Sequence, residues 1–166
     1  EHMGEGFQYF IAEKENNKYG IIDMLNKTIV AFTYDSYKRL SDRSFVLKDS
    51  YGNHIFNASS GILFNEVYDS IDTSKPTYVL NKFTTATYDK TKYVIDTNTG
   101  YKLFKLPHFD DDITSFYKDL FVYKSNGKYG LMDYEGNIII EPKFDKVTID
   151  EPELAEYIKA IESYDK

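Results

Sequence analysis

At 166 residues and 19.4 kDa the chain has the size of one domain. Its 16 Tyr and 12 Phe exclude a disordered polymer, because disordered chains lack the large groups whose burial offsets ordering entropy. A formal charge of -7 argues against the clustered cations that nucleic acid requires, and it fits either ordinary solubility or a basic protein partner. The lack of Cys excludes a disulfide framework, a thiolate metal site and a Cys nucleophile.

In chain order, Glu1-His2-Met3 reads as a cloning remnant, and residues 4–149 form the folded array. No run reaches the roughly 18 apolar residues of a membrane helix, and no charged-then-apolar leader opens the chain. The expected location is the cytoplasm; the alternative is export, with a leader removed. The first repeat, about residues 7–42, opens with the strand-like run Phe7 to Ala12. It continues through Asn17-Lys18-Tyr19-Gly20-Ile21-Ile22-Asp23 and closes at Tyr34-Asp35, 11 and 12 residues beyond Asp23.

The second repeat, about 45–75, opens at Phe45 to Lys48. It has Asn57 at the Asp position, a turn at Ser60-Gly61, and Tyr68-Asp69 at the same two separations. The third, about 78–118, opens at Tyr78 to Asn81. It reads Lys92-Tyr93-Val94-Ile95-Asp96, turns at Asn98-Thr99-Gly100 and reaches Phe109-Asp110 two residues late. The fourth, about 121–149, is the clearest: Phe121 to Lys124, Asn126-Gly127-Lys128-Tyr129-Gly130-Leu131-Met132-Asp133, a turn at Glu135-Gly136-Asn137, then Ile138 to Val147 with Phe144-Asp145 in register. Anchors at 23, 57, 96 and 133 are spaced by 34, 39 and 37 residues, a period that makes repetition the organising feature.

Short aromatic and β-branched runs punctuated by Asn-Gly, Gly-Asn or Ser-Gly predict a β-meander in each copy, hence an all-β fold of four antiparallel units. Gly20 and Gly130 follow an aromatic within a strand pattern, where Gly implies a bulge or the close approach of another backbone. Pro142 places its segment at a sheet edge or bulge. The aromatic before each closing Asp is expected to plug the core between units. Residues 150–166 predict an amphipathic capping helix, with Asp150-Glu151-Pro152-Glu153 at its start and Leu154, Tyr157, Ile158 and Ile161 on one face.

The segment Asn126 to Val147 resembles the WG-repeat family of bacterial proteins, with its Gly-Lys-Trp-Gly-hydrophobic-hydrophobic-Asp, its Gly turn and its Pro-x-Tyr-Asp close. Tyr129 and Tyr19 stand where the family has Trp. The second copy has Asn53-His54 at the aromatic-Gly pair, and the third has Tyr93-Val94. The resemblance implies a β-repeat scaffold that binds proteins or cell-surface components and has no catalytic residues common to the family.

The residues themselves yield no catalytic constellation, so no cofactor, metal or enzymatic activity is expected. His54 and His108 lie in different copies without metal-ligand spacing. Ser59-Ser60-Gly61 lacks a nucleophile elbow. Asp96-x-Asn98-x-Gly100 departs from a calcium loop, with Pro107 where the twelfth-position Glu belongs. Asp residues recurring once per repeat suit turns. The expected activity is non-catalytic protein binding, in sharper form an immunity-type inhibitor of a basic toxin. The alternatives are a surface adhesin stacking glycans on exposed Tyr, and a hydrolase with paired carboxylates. The candidate partner-binding residues are Asp110, Asp111 and Asp112, where adjacent carboxylates suit a cationic partner, with Tyr117 and Asp119. No nucleic acid, membrane span or small-molecule substrate is expected.

Overall fold

Runs of four to seven apolar and β-branched residues between turn formers become strands, and the computed structural model, which describes residues 1–4 and 6–148, arranges them as four consecutive antiparallel sheets. Sheet one contains β1 (Tyr9–Glu13), β2 (Tyr19–Asp23) and β3 (Thr28–Tyr34). Sheet two contains β4 (Ser36–Arg39), β5 (Ser44–Asp49), β6 (Gly52–Asn57) and β7 (Ile62–Tyr68). Sheet three contains β8 (Ser70–Ile71), β9 (Phe83–Tyr88), β10 (Thr91–Asp96) and β11 (Lys102–Lys105). Sheet four contains β12 (Asp112–Tyr117), β13 (Leu120–Ser125), β14 (Lys128–Asp133) and β15 (Ile138–Phe144). Within each sheet, spatial order follows chain order. The fold is all-β; the helix expected over 150–166 lies outside the described residues.

The sequence pattern gives no sign of the strand that follows each closing aromatic. Asp35 and Asp69 lead directly into β4 and β8, so the first two crossings between sheets are single residues. In sheet one the first residues take the corresponding place: Met3 N–H donates to the Tyr9 carbonyl, His2 bridges Phe10, and Met3 is fully buried. The run Tyr78 to Asn81 is not a strand. After Pro76 the chain makes one helical turn, α1 (Thr77–Leu80), in which Val79 and Leu80 N–H groups donate to the Pro76 carbonyl and both side chains are buried. The third sheet's central strand starts instead at Phe83.

Because side chains alternate between faces along a strand, sheets two, three and four each present two different apolar faces. Ile11, Ile21, Val30 and Tyr34 of sheet one pack with Phe45, Leu47, Phe56 and Ala58 of sheet two. On the other face of sheet two, Val46, Ile55 and Tyr68 pack with Ala86 and Ile95 of sheet three. Phe83, Val94 and Leu106 then meet Ile113, Phe121, Tyr123 and Met132 of sheet four. A fourth cluster of Val122, Leu131 and Ile140 lies on the far face of sheet four. The core is thus a series of seams between successive sheets.

The Gly positions mark bulges. Between Tyr19↔Tyr34 and Ile21↔Val30, two residues of β2 oppose four of β3, and Tyr129↔Phe144 with Leu131↔Ile140 repeats this in sheet four. A Cβ on Gly20 would sit 2.7 Å from the Val30 carbonyl oxygen, and one on Gly130 would sit 2.4 Å from that of Ile140. Pro142 lies inside the second of these bulges, on the sheet's outer strand, where a missing N–H costs no ladder bond.

Candidate functional site

The recurring Asp residues are turn supports. Asp23 Oδ1 accepts from Leu25 and Lys27 N–H, both at 2.9 Å. Asp133 Oδ1 accepts from Glu135 and Asn137 N–H at the same distance. Asn57 does this for Ser59 and Ser60, and Asp96 for Asn98. The Asn137 side-chain amide also donates to Asp133 Oδ2 at 3.0 Å, and this bond, with those from the Asn137, Glu135 and Gly136 N–H groups, holds the Asp133 carboxyl below its usual range. The closing Asp makes an ion pair across its sheet, Asp35 with Lys18 and Asp145 with Lys128. The Lys of Lys-Tyr-Gly and the Asp of the close are therefore two halves of one contact, and Lys128 keeps Asp145 below the ordinary carboxylate range.

The closing aromatics Tyr34 and Tyr68 are buried in the first two seams. Phe109 is 50% exposed, however, and the third copy places Leu106 at the equivalent position, where its N–H donates to the Lys92 carbonyl. The wide bulge is missing there, with β10 and β11 slipping only between Val94 and Ile95. The shorter return shifts the register and releases residues 107–111 as a loop.

That loop carries the acidic run, and its three carboxylates separate. Asp110 is exposed. Asp111 is 1% exposed and turns inward, where Oδ2 accepts the His108 N–H at 3.0 Å and lies 3.4 Å from His108 Nδ1. Asp112 reaches Lys75 Nζ at 2.7 Å across the third seam, and Asp72 holds the same ammonium at 3.0 Å. Thr85 Oγ1 and the Ile113 N–H also donate to Asp112. One of the cations that the acidic run was expected to meet is thus internal. Tyr117 is half-buried at the end of β12, and Asp119 is exposed in the following turn.

Asp110 and Asp111 share a cavity of about 370 Å³ with His108, Ser125 and Asn126. Asn126 adopts φ 50° in the β13–β14 turn, a conformation its short polar side chain tolerates. Tyr123, buried in the third seam, has its hydroxyl pushed up to about 12 by burial and by the charges of Glu141 and Asp111. His54 is separate: Nε2 lies 2.9 Å from Asp49 Oδ1, and its ring stands edge-on to Tyr34. Burial raises the Asp49 carboxyl, but the bonds from His54 and from Tyr51 and Gly52 N–H outweigh it and hold the group low. Among the described residues no three His, Cys, Asp or Glu side chains converge as a metal site, and no helix is long and apolar enough to cross a membrane.

Successive antiparallel meanders of three or four strands, each with an Asp- or Asn-supported turn and the first and last with a Lys–Asp clasp, define a β-repeat module. The family model described as WG containing repeat matches residues 19–50 and 129–151, two segments that open on Tyr19 and Tyr129. A search of curated proteins returns no significant match. Among solved structures the chain is similar to the computationally designed Ika8 protein, at 11% identity and a TM-score of 0.38, covering 89% of this chain and 52% of that one. It is also similar to a eukaryotic initiation factor, at 11% identity and a TM-score of 0.46, over 86% of this chain and 42% of that one. Hsv2 of Kluyveromyces lactis follows at 12% identity and a TM-score of 0.32, over 76% and 42%. The chain spans about half the length of these structures, or less.

Proposed function

We propose that the chain is a non-catalytic protein-binding module with a basic partner, in sharper form an immunity-type inhibitor of a basic toxin. The observation that carries this reading is the cavity beside Asp110. An exposed carboxylate stands at its rim, a second is fixed in its wall, and Ser125 and Asn126 supply further acceptors, a set that suits a Lys or Arg side chain. The charge of -7 supports the same partner, since opposite potentials speed encounter and suppress wrong associations. The non-catalytic part is supported by the repeated carboxylates, whose oxygens are committed to turn N–H groups and to lysines.

An arginine-bearing peptide titrated into the ¹⁵N-labelled chain is expected to shift the amides of residues 108–112 and 125–127. The shifts should weaken with added salt and in Asp110→Asn. Shifts elsewhere, or an unchanged response in that variant, would remove the site. The inhibitor reading is tested by co-expression with the products of neighbouring genes: rescue of growth from a basic, toxic product with a salt-sensitive complex supports it. A basic neighbour that forms no complex at micromolar concentration ends it.

A further inference from the structure

The second seam carries a site of the opposite sign. Ser36 and Lys38 lie on one face of β4, and Val46 and Lys48 lie on the same face of β5, in the register Ser36↔Lys48 and Lys38↔Val46. Val46 is packed in the core with sheet three, so both lysines project toward that sheet. There they line a groove of about 370 Å³ with Asn53, Asp69, Ser70 and Thr73.

The two lysines are diagonal neighbours on adjacent strands, a spacing of roughly 7–8 Å at which like charges on one face repel. At the third seam the buried ammonium of Lys75 is neutralised internally by Asp72 and Asp112. At the second seam neither Lys38 nor Lys48 enters an ion pair among the described residues, whose pairs use Lys18, Lys75, Lys102, Lys128, His54 and His108. The one carboxylate in the groove, Asp69, is partly satisfied, because its Oδ2 accepts the Asp89 N–H at 2.9 Å. Asn53 is turned to the backbone, donating to the Tyr68 and Asp69 carbonyls. What remains is two ammonium groups against one carboxylate, with the Ser36 and Thr73 hydroxyls beside them.

We propose that this groove binds a small oxyanion ester, a phosphate or sulfate carried on a hydroxylated body of about monosaccharide size. The charged end would lie between Lys38 and Lys48, where it replaces a repulsion by two charge-assisted contacts, and the hydroxyls would meet the body of the ligand. The volume stands at the lower end of small-molecule sites, which suits one sugar ring with its ester.

The test is calorimetric titration of the whole chain with glucose 6-phosphate, glucose 6-sulfate, inorganic phosphate and glucose. The esters are expected to bind, glucose to fail, and salt to weaken binding. Lys38→Met and Lys48→Met should each weaken ester binding about five- to tenfold, with the melting temperature retained because both side chains are exposed. Asp110→Asn should leave ester binding unchanged, which separates this site from the acidic cavity. Absence of ester binding up to about 10 mM, or equal binding by the double Lys variant, would overturn the site. Inorganic phosphate binding as tightly as the ester would overturn the ester assignment.

Discussion

Gly130 owes its identity to the chain opposite it. A methyl group there would overlap the Ile140 carbonyl oxygen and the Pro142 nitrogen, both backbone atoms that no rotamer change can move. Gly130→Ala is therefore expected to lower stability by roughly 1–3 kcal/mol, read as a shift of the urea midpoint at constant slope. Asp23 acts through its oxygens instead: Asp23→Ala leaves Leu25 and Lys27 N–H without their acceptor and should cost about 1 kcal/mol, while Asp23→Asn, which keeps the accepting oxygen, should cost much less. Equal losses in the two variants, measured by the same titration, would mean that the charge and not the turn bond matters. Both residues were legible in the sequence, because Gly after an aromatic in a strand and Asp before a turn have few structural explanations. The roles of Asp111 and Asp112 were not. Three consecutive Asp look alike in a sequence, and only the register shift at Leu106, with Lys75 supplied from 37 residues upstream, separates a rim carboxylate from a buried one and a bridging one.

At the scale of elements, the third seam depends on Lys75, whose side chain is 5% exposed between two carboxylates. Removing it leaves Asp72 and Asp112 facing each other across the seam. Lys75→Met should destabilise by about 2 kcal/mol, less than a deeply buried pair because both carboxylates retain solvent. Combining it with Asp72→Asn and Asp112→Asn should recover much of the loss. The pH dependence follows from Asp72. Burial raises its carboxyl, but the Ser74 hydroxyl and N–H and the Lys75 ammonium outweigh that and lower it. A folded-state value below the unfolded value near 3.9 means that the contribution is complete above that pH. It is lost as pH falls through the folded value. The stability difference between wild type and Asp72→Asn, taken from denaturation curves, should thus be constant above about pH 5 and shrink below pH 4. A difference that grows toward acid would contradict the sign. Legibility at this scale was uneven: the central strands followed from aromatic runs, whereas Tyr78 to Asn81 looked like a strand by composition. Pro76 and the burial of Val79 and Leu80 made it a helical turn.

Over the whole molecule, the three seams join sheet one to two, two to three and three to four, and no hydrophobic cluster among the described residues joins sheet one to sheet four. Stability in such an array is approximately a sum of unit and nearest-neighbour terms, so damage should spread by adjacency. Gly130→Ala strikes the bulge of sheet four, the last sheet of the array. It is expected to accelerate amide hydrogen exchange first in β13 and β14, then in sheet three, and last in sheet one. Ile55→Ala opens a cavity inside the second seam at a cost of about 2–5 kcal/mol, and should accelerate exchange in sheets two and three together, with the effect falling off toward both ends. The comparison separates two descriptions of the fold. If both variants accelerate all four sheets equally, the array unfolds as one cooperative body and its seams act globally. Graded profiles centred on the mutated position make each seam a separate energetic unit, and the second seam, which holds Lys38 and Lys48, could then respond to a bound anion without the acidic cavity beside sheet four taking part.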